Sequence, residues 1–138
     1  MRVVLDTNIL VAAMRSRGGA SFRIMQWIDE GRIHPIISVP LMMEYEEVLK
    51  RVGTIPGIGP QEVDTFLDYL MSRSSEQRVF FLWRPWLSDA DDEMLLEAAF
   101  ASGADYLVTH NIRDFAPAAS LGIKVVTPHE FAIIFLST

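Results

Sequence analysis

No cysteine occurs among the 138 residues. That excludes a disulfide scaffold, a thiol nucleophile and a Cys-ligated zinc site, and it fits a reducing cytoplasm. Histidine is scarce, three in all. His110 lies in a loop without an H-x-x-x-H partner or a second ligand nearby, which argues against zinc. No apolar run approaches the roughly 20 residues of a membrane span. The N-terminus runs directly into a strand pattern, so no signal peptide is expected. Repeats, linkers and low-complexity segments are absent. So are a P-loop, a G-x-G-x-x-G after a strand and a G-x-S-x-G elbow, which disfavours ATPase, dehydrogenase and α/β-hydrolase chemistry. Positive charge is in deficit, with 12 Lys and Arg against 18 Asp and Glu and a net charge of −6. The chain as a whole is therefore not an obvious nucleic-acid binder. Acids gathered in one site would give the same number, and a bound divalent cation would neutralise part of it.

What the chain has is apolar content and order. It is 50% hydrophobic, enough for a single domain over 1–138 with a real core. Val3, Val4 and Leu5 form an apolar run that ends on Asp6. Thr7 and Asn8 follow, and Ile9 to Ala13 can wind a helix. This predicts a buried parallel strand that delivers Asp6 to its carboxyl end, the edge where open α/β sheets bind ligands. The plainer alternative is that Asp6 only caps the helix. That helix should stop in Arg15-Ser-Arg17-Gly-Gly, and a second should start near Ser21 and end at Gly31.

Ile33–Val39 reads as a strand, followed by Ser38 and by Pro40 in the first turn of a helix. Leu41, Tyr45, Val48, Leu49 and Val52 form the apolar stripe of that helix. Glu47 then points almost opposite the stripe and Glu46 lies well off it, while Glu44 sits at its edge, where it can lean toward the sheet. A turn-rich loop leads to a helix with Val63, Phe66, Leu67, Leu70 and Met71 on one face. Arg78–Trp83 is predicted as a strand. Trp83 and Trp86 suit packing or a partner surface.

Asp89, Asp91 and Glu93 are ordinary acids at a helix N-terminus. Asp92 differs, because Leu95, Leu96, Ala99 and Gly103 follow it at +3, +4, +7 and +11. It continues the buried stripe, where an ionised carboxylate is costly unless paired or metal-bound. Ala104–Val108 should be the next strand, with Asp105 at its far edge and Thr109, Asn111 and Asp114 at or past its carboxyl end. Ile123–Val126 is the last strand, and Thr127 caps a final helix beginning with Pro128. Alternation of this kind argues an α/β fold, a mainly parallel sheet of about 4–5 strands with helices on both faces. Clustered carboxylates without Cys or a His pair are hard oxygen ligands suited to Mg²⁺ or Mn²⁺, which would activate water against a phosphodiester.

The chain resembles the PIN-domain ribonucleases. The resemblance is carried by Val-Val-Leu-Asp6-Thr-Asn8, Ile-Ser38-Val-Pro-Leu-Met-Met-Glu44-Tyr, Asp-Asp92-Glu-Met-Leu-Leu-Glu-Ala-Ala and Leu-Val-Thr109-His-Asn111-Ile-Arg-Asp114-Phe. It extends to the closing Val-Thr-Pro-His-Glu-Phe. Each motif is weak alone, and four in order are specific. The chain looks most like PIN proteins that are toxins of VapBC-type modules. The resemblance implies a three-layer α/β/α fold. It also implies Mg²⁺ or Mn²⁺ held by Asp6, Glu44 and Asp92 for cutting RNA, a cognate antitoxin, and a homodimer, for which Met43, the tryptophans and the apolar C-terminal helix also speak. The family often has a fourth acid two residues after the Thr. Here Asn111 stands there, able to ligate through its carbonyl oxygen or to orient water. Arg15, Arg17 and Arg113 are best placed in sequence to meet phosphate.

Two other classes compete. A phosphoaspartate protein could use Asp6 as acceptor, but Asn8 stands where a dehalogenase-type site would want a second Asp, and the paired acids of a receiver domain are missing. A non-catalytic RNA- or protein-binding module could retain the fold.

Overall fold

The computed structural model describes residues 1–51, 53–78, 87 and 89–138. Its frame is a parallel sheet of five strands among the described residues, ordered β3-β2-β1-β4-β5. Strand β1, Arg2–Leu5, is central, because Val3, Val4 and Leu5 are buried on both faces and need a neighbour on each side. On one side Val3 lies opposite Pro35 of β2, His34–Ile37. On the other, Val3, Val4 and Leu5 lie opposite Tyr106, Leu107 and Val108 of β4, Tyr106–Val108. Strand β5 is Val125–Val126, and β3 is Ser75–Glu76, paired with Ile36 and Ile37.

Helices α1, Thr7–Arg15, and α2, Ala20–Asp29, connect β1 to β2. Helices α3, Val39–Lys50, and α4, Pro60–Ser72, connect β2 to β3. The chain then returns past β1 through α5, Ala90–Ser102, to reach β4. With right-handed crossovers, this reversal places α5 on the face opposite α1–α4 and gives three layers. α5 accordingly packs on β1, β2 and β4. A 3₁₀ segment, Ile112–Leu121, leads to β5, and α6, Pro128–Leu136, packs back on α2. The reversal also fixes a switch point between β1 and β4, where neighbouring connections leave in opposite directions. In open α/β sheets the crevice at such a point is where ligands bind.

One expectation falls outside the described residues and two need correction. The strand expected at Arg78–Trp83 lies outside the described residues from 79 onward, as do Trp83 and Trp86. The third strand is Ser75–Glu76, two exposed polar residues with no apolar pattern to reveal them. Ser21 does not cap α2. Gly19 holds that position, and Ser21 is a buried residue of the first turn. Met71 is 51% exposed instead of sharing the buried face of Val63, Leu67 and Leu70. Strand β2 ends at Ile37, with Val39 already in α3, β5 is confined to Val125–Val126, and Val52 lies outside the described residues, but other landmarks hold. Ser38 caps α3 through a hydrogen bond from the Leu41 N–H. Gly103, with φ of 62°, ends α5 in the left-handed region. Asp105 accepts from the Arg2 N–H at the amino edge, away from Asp6. Among the described residues, no helix is long and apolar enough to cross a membrane.

Candidate active site

Asp6 extends β1 by one residue. Its N–H donates to the Val108 carbonyl at 2.9 Å, so the residue is held at the carboxyl end of the ladder. It occupies the N-cap position of α1, yet its side chain makes no capping hydrogen bond. Asp89 and Thr127, at the same position of α5 and α6, do cap. The carboxylate of Asp6 instead accepts from the Thr109 hydroxyl at 2.7 Å, across the switch point. Thr109 is fully buried, and its Oγ1 accepts in turn from the Asn111 N–H at 3.0 Å. Capping alone therefore does not account for Asp6. It is 8% exposed, and burial pushes its pKa up, opposed first by the Thr109 hydrogen bond and then by the Thr7 and Asn8 amides.

Glu44 and Asp92 reach the same edge from α3 and α5, two helices in contact with each other. Both are half-buried, and both are harder to ionise than usual. For Glu44 the causes are burial, then Asp91 and Glu47, with Asp6 contributing. For Asp92 they are burial, then Asp89, Asp6, Asp114 and Asp91, and together they push its pKa up to about 6. Asp6 thus lies within electrostatic reach of Glu44 and of Asp92, and Asp114 within reach of Asp92. Glu46 and Glu47 behave as the helical wheel predicts. They are exposed and pair with Lys50 and Arg51 one turn on.

The remaining candidates divide. Asn111 is exposed and sits beside the acids through its backbone bond to Thr109. Asn8 has a buried Oδ1 with no hydrogen-bond partner. Ser38 is spent on its cap and lines a groove between α3 and α4. Arg15 is tied to the Thr54 carbonyl through Nε at 2.8 Å and through its terminal nitrogen. Arg17 and Arg113 are exposed and make no ion pair among the described residues.

Two neighbours of the site have no signal in the local sequence. Tyr45, read there as core, donates its hydroxyl to the Leu5 carbonyl and so fastens α3 to the strand end beside Asp6. Burial, then the charge of Asp6, makes that phenol harder to ionise. His110, read there only as a poor zinc ligand, directly follows Thr109 and lies within electrostatic reach of Asp6.

A PIN domain family model matches residues 2–113. The chain belongs to the PIN domain family. PIN domains are generally nucleases, and such nucleases generally use divalent metals. Among solved structures the chain is similar to a chain of VapBC2 from Rickettsia felis, solved bound to a DNA fragment from their promoter. The TM-score is 0.61 and the identity 18%, over 92% of this PIN domain chain and 98% of that one. At that identity the likeness shows the fold. No curated protein matches the chain.

The donor chemistry fits a divalent cation. Carboxylate and amide oxygens are hard ligands, Asp6 disfavours the charge of Glu44 and of Asp92, and the Asn8 oxygen lacks a partner. As the side chains stand, no three His, Asp or Glu among the described residues close on one point tightly enough to hold an ion.

Proposed function

We propose that this PIN domain is a Mg²⁺- or Mn²⁺-dependent endoribonuclease that hydrolyses RNA phosphodiester bonds. The observation that carries the reading is that Asp6, at the β1/β4 switch point, opposes the charge of both Glu44 and Asp92, while burial first and then Asp89, Asp6, Asp114 and Asp91 raise the Asp92 pKa to about 6. Carboxylates held together against their own repulsion are groups waiting for a cation. In this reading Asp6, Glu44 and Asp92 hold the ion, and the Asn111 carbonyl oxygen ligates or orients water. Thr109 fixes the orientation of Asp6, and Asn8 and Asp114 support the site. A bound divalent ion supplies positive charge to the phosphoryl oxygens and lowers the pKa of water at the site. Arg17 and Arg113 offer the free cations for RNA phosphates, with Arg15 behind them.

The VapBC2 neighbour supports a toxin role in a type II toxin–antitoxin pair, with a cognate antitoxin as partner, and the lack of cysteine fits a cytoplasmic setting. Val39 and Met43 are 59% and 67% exposed and, with Met71, support a homodimer.

The test is a purified, antitoxin-free sample on a mixed single-stranded RNA pool with Mn²⁺, run beside Asp6→Asn and a chelator control. Cleavage by the wild type alone, abolished by chelator, is the expected result. Equal cleavage by both proteins would point to a contaminant. No cleavage by either, across several RNA classes, would favour a non-catalytic binding module.

A further inference from the structure

A cleft of about 470 Å³ lies between the ends of α1, α2 and α6, beside the residue that follows Thr109. In a chain with net charge −6, none of its lining residues is acidic. The start of α2 forms one wall. Its N-cap is Gly19, with no side-chain cap and no acid in the first turn, so the Ala20 and Ser21 N–H groups have no side-chain acceptor at the positive end of the helix. The start of α6 forms another wall, but there Thr127 and Glu130 already cap each other. His129 of α6 and His110 complete the lining with imidazole N–H donors, both exposed.

Ser21 supplies the independent sign of a ligand. It is 4% exposed and lines the cleft, yet its hydroxyl has no hydrogen-bond partner among the described residues. The oxygen itself is not shut away, since Asn8 Oδ1 is the one buried side-chain atom without a partner among the described residues, so the Ser21 hydroxyl is open to an occupant of the cleft it lines. His110 links the cleft to the acids, since it follows Thr109, whose hydroxyl donates to Asp6.

We propose that this cleft is a subsite for a backbone phosphate of the RNA strand, neighbouring the phosphate at Asp6. Its donors are the α2 amides, the Ser21 hydroxyl and the His110 and His129 imidazoles. The arrangement joins a helix N-terminus to hydroxyl and imidazole donors, the chemistry that holds phosphate oxygens without reading a base. The subsite rests on the nuclease reading above. It explains how an acidic protein can hold a polyanion, because the acids address one phosphate and an acid-free cleft the next.

The test uses the full chain in chelator, so that nothing is cut, with a labelled single-stranded oligoribonucleotide followed by fluorescence anisotropy. His129→Ala, at an exposed position, and Ser21→Ala should each weaken binding about threefold to tenfold, the worth of one hydrogen bond. Amide NMR signals of Ala20 and Ser21 should shift when the oligonucleotide is added to the wild type. Unchanged affinity in both variants, with those amides unmoved while the wild type still binds RNA, would overturn the subsite and leave the nuclease reading standing. Shifts with inorganic phosphate but none with the oligonucleotide would make this a free-anion site and overturn its assignment to the strand. A wild type that neither binds nor cuts RNA would remove the nuclease reading and the subsite with it.

Discussion

Asp6 and Thr109 stand 103 positions apart and are joined by a 2.7 Å hydrogen bond in which the threonine hydroxyl donates to the carboxylate. The bond spans the switch point between β1 and β4, and it turns a residue in a capping position into one whose carboxylate is aimed across the sheet edge. Thr109 does not act alone, since its oxygen also accepts from the Asn111 amide and thereby places the turn carrying Asn111.

Thr109→Val therefore removes two interactions at a buried position. We expect a loss of about 1–3 kcal/mol in stability, because the Asn111 N–H and the Asp6 carboxylate both lose a partner. The Asp6 pKa should rise further, since the Thr109 bond is what most opposes the effect of burial. Urea denaturation and carboxyl ¹³C NMR titration check the two parts separately.

Asp92 should make the metal-free fold less stable as pH rises. Its pKa is about 6 in the folded chain against 3.8 for the ordinary side chain. Between those values the folded state binds more protons than the unfolded state, so stability is greatest below about pH 4 and falls as pH rises toward and through 6. Above that, the cost of the charge is present in full, reduced by solvent screening because the group is only half-buried. Asp92→Asn should raise the metal-free Tm at pH 7 by a few degrees, about what 1 kcal/mol gives in a chain of this size. A sharp fall in Tm would show Asp92 to be a structural cap or ion-pair member.

The same proton opposes metal. Cleavage at limiting Mn²⁺ should climb through about pH 6 as Asp92 ionises, and raising Mn²⁺ should move that midpoint to lower pH. A rate flat between pH 5 and 7 at limiting Mn²⁺ would separate Asp92 from the metal.

The three glutamates of α3 make an internal control. Glu44→Gln should lower activity by roughly 10–100-fold or more, whereas Glu46→Gln and Glu47→Gln should stay within about twofold, because their partners are the surface cations Lys50 and Arg51. Single-turnover cleavage of one RNA substrate ranks the three.

The homodimer expectation is checked by light scattering at tens of micromolar (roughly the range where weak dimers show). The expected mass is twice 15.6 kDa, and Met43→Lys should lower it. A monomer in the wild type would remove the dimer from the account.

Periodicity made much of this legible in the sequence. The apolar run through Leu5 located the strand end at Asp6, the α3 wheel separated Glu44 from Glu46 and Glu47, and the stripe through Leu95, Leu96 and Ala99 singled out Asp92. Each is a local pattern imposed by a core. What stayed hidden depends on contacts between distant segments or on residues without a pattern. Ser75–Glu76 is a strand only because β2 offers it an edge. The link of His110 to Asp6 exists because β4 lies beside β1. Arg15 reads as a free cation until the loop at Thr54 folds over it. Ser21 looks like a cap in sequence, and only packing shows that it is buried and that Gly19 holds the cap.

The most direct test of the central claim is Mn²⁺ paramagnetic relaxation on the amide NMR spectrum of the full chain. The account predicts that low Mn²⁺ broadens Thr7, Asn8, Thr109 and Asn111 first, and that Asp6→Asn removes this broadening with the rest of the spectrum unchanged. Broadening centred on Glu46, Asp64, Asp68 and Glu76, the acids of the α3–α4 groove, or a pattern identical in wild type and Asp6→Asn, would contradict it.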